Sequence, residues 1–349
     1  MNLKRIRILF AARNREFLRD RAGFGWNILF PFLIVAGFGI IFSGDTRTEY
    51  KAGVFPAETG EIRENAGIPE QFKTFRYIRF LRFPDFETGI DKLRHHKIDI
   101  LIRIDQEPSP YWINDSSPSG YITEKMLIAS LMPDREIRKK LVKKEIQGRP
   151  IRYIDWLFPG ILGMNMMFSA MYGVGYVIVR YRRNGVLKRL MATPVTAFEY
   201  LLSQLLSRVI ILFLTACIVW IGSDLIFDFR MAGSYLDAAA VFLIGAVSLV
   251  SLGLIIACRG TSEEFASGMI NFICWPMMFL SGVWFSMEGS PQWVQMISKV
   301  FPLTHILAAV RRIINDGAAF SEVLPEVAIL SFMSIVFLSA GAFLFSWTR

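Results

Sequence analysis

Five stretches of this chain, residues 24–44, 157–179, 238–258, 265–287 and 327–347, each run for 21 or more positions without a charged side chain. A helix needs about 20 such residues to cross a hydrocarbon core of about 30 Å, and helices buried in soluble proteins rarely avoid charge for so long. A sixth stretch, 205–223, is clean apart from Arg208 near its start. Six membrane-spanning helices are expected. Arg208 is expected to snorkel to the nearer surface or to meet a polar neighbour. With 53% hydrophobic and 14% aromatic residues and a mean hydropathy of +0.40, the 20% of charged residues must gather in water-facing segments. The basic leader before the first stretch reaches Arg21 and no Ala-x-Ala site follows, so that stretch reads as a retained span rather than a signal peptide.

The charges set an orientation. Lys4, Arg5, Arg7, Arg13, Arg15, Arg19 and Arg21 outnumber Glu16 and Asp20 in the leader. Lys and Arg resist translocation, so this end is expected in the cytoplasm, and six spans return the C-terminus there. The loop with Arg180, Arg182, Arg183, Lys188 and Arg189 then lies inside, and the one with Asp224, Asp228 and Asp237 outside. The short 259–264 loop is inside yet mildly acidic, a weak exception.

Residues 45–155 form a long outer insertion with 20 basic and 18 acidic residues. "IDILIRI" puts Ile98, Ile100, Ile102 and Ile104 at period two, and "KAGVF" and "YIRFL" are further strand candidates. Phe86, Ile90 and Leu93 recur at helical spacing, and 119–147 reads as helical with a break near Pro133. A small α/β domain is expected. The run Lys139, Lys140, Lys143 and Lys144 reads as a solvated helix face, with anionic headgroups or substrate as its alternative contact.

Three segments carry more than topology. In the leader, Leu3, Ile6, Phe10 and Phe17 share a helical side; Arg7 lies beside that stripe and Arg13 within it, which suggests a helix lying in the membrane interface. In "RYRRNGVLKRLMATPV", Leu187, Leu190 and Met191 share a face, Pro194 fits the first turn of the next helix, and Thr196 with Glu199 makes a T-x-x-E capping box. The result is a short helix, a stop and a capped re-entry: a lever rather than an inert loop. Around the fifth stretch, Pro276 can kink the span, and Ser281, Gly282, Pro291 and Trp293 mark an interfacial exit. Pro302 restarts a helix carrying Arg311 and Arg312, too polar to cross and expected to dip into the outer leaflet.

These segments resemble an ABC-2 type transporter permease, the membrane subunit of an ATP-driven exporter. "LRDRAGFGWNILFPFLIVAGFGIIF" is similar to that family's first span, "RNGVLKRLMATPVTAFEYLLSQLL" to its cytoplasmic G-x-L-K-R-L-x-x-T-P-V signature, and "PMMFLSGVWFSMEGSPQWVQMISKVFPLTHILAAVRRIINDG" to its L-S-G…P-x-W…P-L-T…R pattern. The signature usually carries Glu shortly before its glycine, where this chain has Arg183 and Asn184, and Ser286 stands where proline is frequent.

The resemblance implies a multi-pass protein of the bacterial inner membrane, with both termini cytoplasmic and a membrane all-α fold. That fold has six transmembrane helices and a small extracytoplasmic α/β domain inserted between helices 1 and 2. The divisions expected are a leader helix 1–23, a first span 24–44, the inserted domain 45–155, and spans 2–6 in 156–349, with a coupling loop at 180–199 and outer-leaflet helices at 288–320. Implied partners are a cytoplasmic ABC ATPase subunit, a second permease as homodimer or heterodimer, membrane lipid, and a periplasmic partner for the inserted domain. The chain has no G-x-x-x-x-G-K-[ST] loop, so it is expected to bind no cofactor and catalyse nothing, with ATP and Mg on the separate subunit. The implied ATPase contact comprises Arg182, Arg183, Gly185, Leu187, Lys188, Arg189, Leu190, Met191, Thr193 and Pro194. The implied extracytoplasmic gate comprises Pro276, Ser281, Gly282, Pro291, Trp293, Pro302 and Arg311.

Other classes fit poorly. The net charge of +9 lies in loops, not in a basic stripe with interleaved aromatics, which argues against nucleic acid. Cys217, Cys258 and Cys274 and the scattered His95, His96 and His305 lack metal spacing. No span holds an acidic residue, which argues against an ion-coupled carrier, and no nucleophile motif points to an enzyme. The absence of intramembrane acid and the many Phe and Met residues suggest a hydrophobic or amphiphilic cargo. One rival keeps the same machinery: ATPase motion passed to an outer partner without transport.

Overall fold

A computed structural model describes residues 2–42, 50–56, 68–75, 77–106, 108–131, 152–229, 231–259 and 262–347. The chain divides into two compact units, Met1–Ser43 with Pro150–Arg349, and Gly44–Arg149.

The first unit begins with α1 (Leu3–Arg19) and α2 (Arg21–Phe42). They part at Asp20, which closes α1 through its backbone N–H to the Glu16 carbonyl. Its carboxylate then accepts from Gly23 N at 3.0 Å, capping α2. The leader helix thus stops at Arg19, short of residue 23. Along it Ile6 and Arg13 are buried, while Leu3 is 71% exposed.

The second unit is a four-stranded sheet, β1 (Tyr50–Phe55), β2 (Ile78–Arg82), β3 (Ile100–Arg103) and β4 (Tyr111–Ile113), ordered β2-β1-β3-β4. Its helices are α3 (Glu70–Lys73), α4 (Phe86–Arg94) and α5 (Pro118–Ala129). β1 runs parallel to β2 and β3, and β4 is antiparallel to β3. The sheet buries both faces: Ala52, Val54, Ile100 and Ile102 pack with Phe72 and Leu127, and Leu101 packs with Leu93 and Phe55. Ile98 precedes the strand and joins the Leu93 side, so it does not share a face with Ile100, Ile102 and Ile104. Lys139, Lys140, Lys143, Lys144 and the break at Pro133 lie outside the described residues.

The first unit resumes with α6 (Tyr153–Ala170), a π-helical turn at Met171–Tyr176, and α7 (Val177–Arg183). Next come the short α8 (Val186–Met191), α9 (Ala197–Phe227), α10 (Tyr235–Arg259) and α11 (Glu263–Leu280). Last are α12 (Gln292–Ser298), α13 (Pro302–Asp316) and α14 (Leu324–Leu344). α6 is the hub, with nearly every side chain from Ile154 to Ala170 buried. α2 and α14 are peripheral and leave large apolar side chains such as Trp26, Leu33, Phe332 and Phe343 exposed. Apolar surface on that scale is compatible with lipid or another subunit, not with water.

Among the described residues, five helices are long and apolar enough to cross a membrane: Arg21–Ile40, Tyr153–Arg183, Ala197–Phe227, Tyr235–Cys258 and Phe320–Leu344. The bent pair Gln292–Ser298 and Pro302–Asp316, turning by 96°, makes a sixth if counted as one span. The stretch 265–287 differs from expectation. Its helix has only 18 residues and stops at Leu280, with Ser281 as its C-cap. Gly282 then adopts φ 74°, a left-handed turn that a helix cannot continue through.

Candidate functional site

Two clusters of sequence-predicted residues stand at opposite ends of the Tyr153–Arg183 helix, and a cleft lies along its length. At 1.5 Å per residue, Trp156 and Arg182 are separated by about 40 Å of helix.

At the α7 end, Asn184 closes the helix and Gly185 takes φ 70°, allowing α8 to restart at once. α8 ends where the Thr193 hydroxyl donates to the Leu190 carbonyl at 2.6 Å. Thr196 caps α9 in the expected box: its hydroxyl accepts from Glu199 N at 3.3 Å, and the Glu199 carboxylate accepts from Thr196 N at 3.1 Å. Pro194 precedes that cap instead of opening the helix, and its carbonyl accepts from the Arg5 guanidinium.

The elbow is fastened to four neighbours. Arg182 donates to the carbonyls of Ala257 at 2.8 Å, Cys258 at 3.2 Å and Ser346 at 2.9 Å. It thereby satisfies the last carbonyls of α10, where cations are favoured, and holds the segment after α14. Arg183 pairs with Glu263 at 3.3 Å and Glu264 at 3.5 Å at the start of α11. Arg180 pairs with Glu16 of α1 at 3.2 Å, and Glu199 also accepts from Asn2 N at 2.7 Å.

This packing divides the predicted contact residues. Leu187 is fully buried in the core of its own unit and turned away from any outward docking face, while Leu190 is half-buried against that core. Arg182 is likewise turned inward. Lys188, Arg189, Met191, Thr193 and Pro194 are exposed, and Phe198 joins them.

At the α6 end, the Arg311 guanidinium carbon lies 3.7 Å from the centroid of the Trp156 ring. Its Nε donates to the Trp156 carbonyl at 3.2 Å and a terminal nitrogen to Val283 O at 3.4 Å. Thr304 donates to Ser298 O at 2.6 Å, with its hydroxyl 2.9 Å from Ser281 Oγ. Ser281, Gly282, Pro302 and Arg311 therefore belong to one locked corner. Trp293 is 65% exposed outside it, Pro291 caps α12, and Pro276 sits inside α11 away from the corner.

Between the ends, α2, α6, α9 and α11 enclose a cleft of about 640 Å³. One part is polar, with Asn27, Asn165, Ser169, Tyr172 and Arg208; the other carries Trp26, Phe168, Trp275 and Trp284. Arg208 does not snorkel. It donates to the carbonyl and hydroxyl of Ser169, and a Cβ at Gly173 would collide with its guanidinium. Arg13 donates to Gly173 O at 2.9 Å. The π-helical turn, which disturbs the helical hydrogen-bond ladder, thus has Arg208 bonded just before its start, at Ser169, and Arg13 bonded within it, at Gly173. Sequence reasoning did not assign Arg13 this place, although a cation inside the leader's apolar stripe was the signal for it.

Comparison with known proteins is consistent with these features. Residues 21–343 match the family described as ABC-2 family transporter protein. The chain is 26% identical over 219 residues to the inner membrane transport permease YhhJ of Escherichia coli (strain K12), covering 60% of this chain and 55% of that protein. It is 22% identical over 184 residues to the probable multidrug ABC transporter permease YbhR of the same organism, covering 53% and 50%. To the daunorubicin resistance ABC transporter permease protein of Streptomyces coeruleorubidus it is 26% identical over 178 residues, covering 49% and 61%. The chain thus spans between half and about three-fifths of the length of these relatives.

Proposed function

Because the chain belongs to the ABC-2 family of transporter proteins, we propose that it is the permease subunit of an ATP-driven exporter of hydrophobic or amphiphilic molecules. A separate cytoplasmic subunit carries ATP and Mg and docks on the exposed side of the elbow. Lys188, Arg189, Met191, Pro194 and Phe198 form that contact: two cations beside two large apolar side chains, all exposed. The observation that carries the reading is the elbow's attachment. A push on α8 is taken up by α1, α10, α11 and the segment after α14 through Arg180, Arg182, Arg183 and Glu199, so the helices move as connected bodies.

The permease works in the bacterial inner membrane as a dimer of like or related subunits, with both termini and the elbow on the cytoplasmic side. The 640 Å³ cleft has the size and mixed lining of a small-molecule site. The names of two relatives, a probable multidrug ABC transporter permease and a daunorubicin resistance ABC transporter permease protein, support a cargo of this class.

A second reading keeps the coupling but replaces transport with force transmission to an extracytoplasmic partner. What favours it is that Gly44–Arg149 is a compact unit with cores of its own. ATP-dependent movement of a fluorescent amphiphile into inverted vesicles tests the first reading. Nucleotide-dependent capture of a periplasmic protein without flux would replace it with the second.

A further inference from the structure

Arg208 brings a positive charge to the cleft wall with no anion among the described residues to meet it. Its side chain is only 5% exposed, its terminal nitrogen is held by the neutral Ser169, and its Nε has no hydrogen-bond partner. The adjoining ring is Phe17, with the guanidinium carbon 5.4 Å from its centroid, and the next brace along the helix is a second cation, Arg13. Among the described residues, none lining the cleft is acidic. A buried ion left without a counter-charge is strongly unfavourable, and here the deficit is an anion.

We propose that the cleft binds an amphiphile with one anionic head, carboxylate or phosphate. The head pairs with Arg208 beside Ser169 and Asn27, and the apolar body lies along Trp26, Phe168, Trp275 and Trp284. This names the charge of the cargo and rests on the reading of the chain as a transporter permease. The guanidinium is suited to the task because it keeps its charge and carries several N–H donors on one planar group. Carbonyl contacts alone hold the group in place but leave its charge unneutralised. The Ser169 hydroxyl that receives Arg208 donates in turn to Asn27 Oδ1 at 2.7 Å, so a carboxylate at position 27 would stand one hydroxyl away from the guanidinium.

The test uses the permease with its ATPase subunit in phosphatidylcholine nanodiscs. Binding is read with a pyrene-labelled long-chain carboxylate, the matching long-chain alcohol, and pyrene-labelled phosphatidylglycerol against phosphatidylcholine. The carboxylate is expected to bind at least tenfold more tightly than the alcohol. A matching preference for phosphatidylglycerol identifies membrane phospholipid as a source of the anion, and its absence identifies a non-phospholipid cargo. Equal binding in both pairs overturns the assignment. Asn27→Asp is nearly isosteric and supplies the missing carboxylate, so it should raise the unfolding temperature and abolish the carboxylate preference. Arg208→Gln should abolish it without added stability. Retention of the wild-type preference by Asn27→Asp overturns the proposal even if Arg208→Gln fails to fold. ATP hydrolysis by the same complex reads the premise separately. Nucleotide turnover unaffected by the permease strikes the transporter reading, and coupled turnover without anion preference strikes the anion assignment alone.

Discussion

Arg311 sits over the ring of Trp156, 3.7 Å from its centroid, and at the same time donates to the carbonyl of that residue, so one side chain grips both the ring and the backbone at the start of α6. The corner is held twice by the same pair.

Arg311→Leu should remove the cation–π contact, worth up to about 2 kcal/mol when desolvated, and leave the carbonyls of Trp156 and Val283 without these donors at about 1–3 kcal/mol each. The expected loss is several kcal/mol in a denaturation titration of the detergent-solubilised protein. A double-mutant cycle with Trp156→Leu should show coupling of about 1–2 kcal/mol. Additive effects would mean that the ring contact contributes nothing.

Leu187 and Met191 should behave oppositely. Leu187→Asp buries an unpaired carboxylate in the core and should cost about 3–5 kcal/mol, lowering the yield of folded protein. Met191→Asp lies at an exposed position and should leave thermal stability unchanged while abolishing stimulation of the ATPase. Equal stability losses would place Met191 in the core and the docking face elsewhere.

Arg182→Gln should separate coupling from docking. The ATPase subunit is expected to co-purify as before, because Arg182 faces inward. The last turn of α10 should exchange amide hydrogens faster, and transport per ATP should fall. Unchanged exchange in 252–259 would refute the bracing role.

The inserted unit carries a pH signature. Asp85 caps α4 by accepting from Thr88 N at 2.7 Å, which holds its carboxyl below the ordinary value of 3.8. A depressed folded-state pKa adds stability above the unfolded value, and that stability is lost as pH falls through the folded one. Amide protection in α4 should therefore weaken below about pH 4 in the wild type, and Asp85→Asn should flatten that dependence. An unchanged profile in the variant would remove the carboxylate from the account.

Much of the architecture is legible because hydrocarbon forbids charge on every face of a helix. That exclusion marks the long helices regardless of how they pack. The capping box at Thr196 and Glu199 is equally local and equally readable. The end of α11 is only partly so: Ser281 and Gly282 mark an exit, but residues 281–287 carry no charge, and the turn is decided by the conformation of Gly282 and by Thr304 and Arg311 arriving from far along the chain. Periodicity finds that Leu187, Leu190 and Met191 share a side but not which way it turns, and the neighbours that bury Leu187 decide that. Ile98 misleads for a related reason, since alternation describes a face only where the strand has already begun. Arg208 has a neutral polar partner in Ser169, as the chain's shortage of acid suggests, but the cleft it borders is made by helices distant in sequence.

The length of α9 has a consequence for reach. Its 31 residues extend about 46 Å. Leaning by as much as 40°, it would still project about 35 Å onto the bilayer normal, more than a hydrocarbon slab of about 30 Å can swallow. At least one end must therefore emerge among the headgroups or beyond them, and burying either tip more deeply pushes the other further into the aqueous phase.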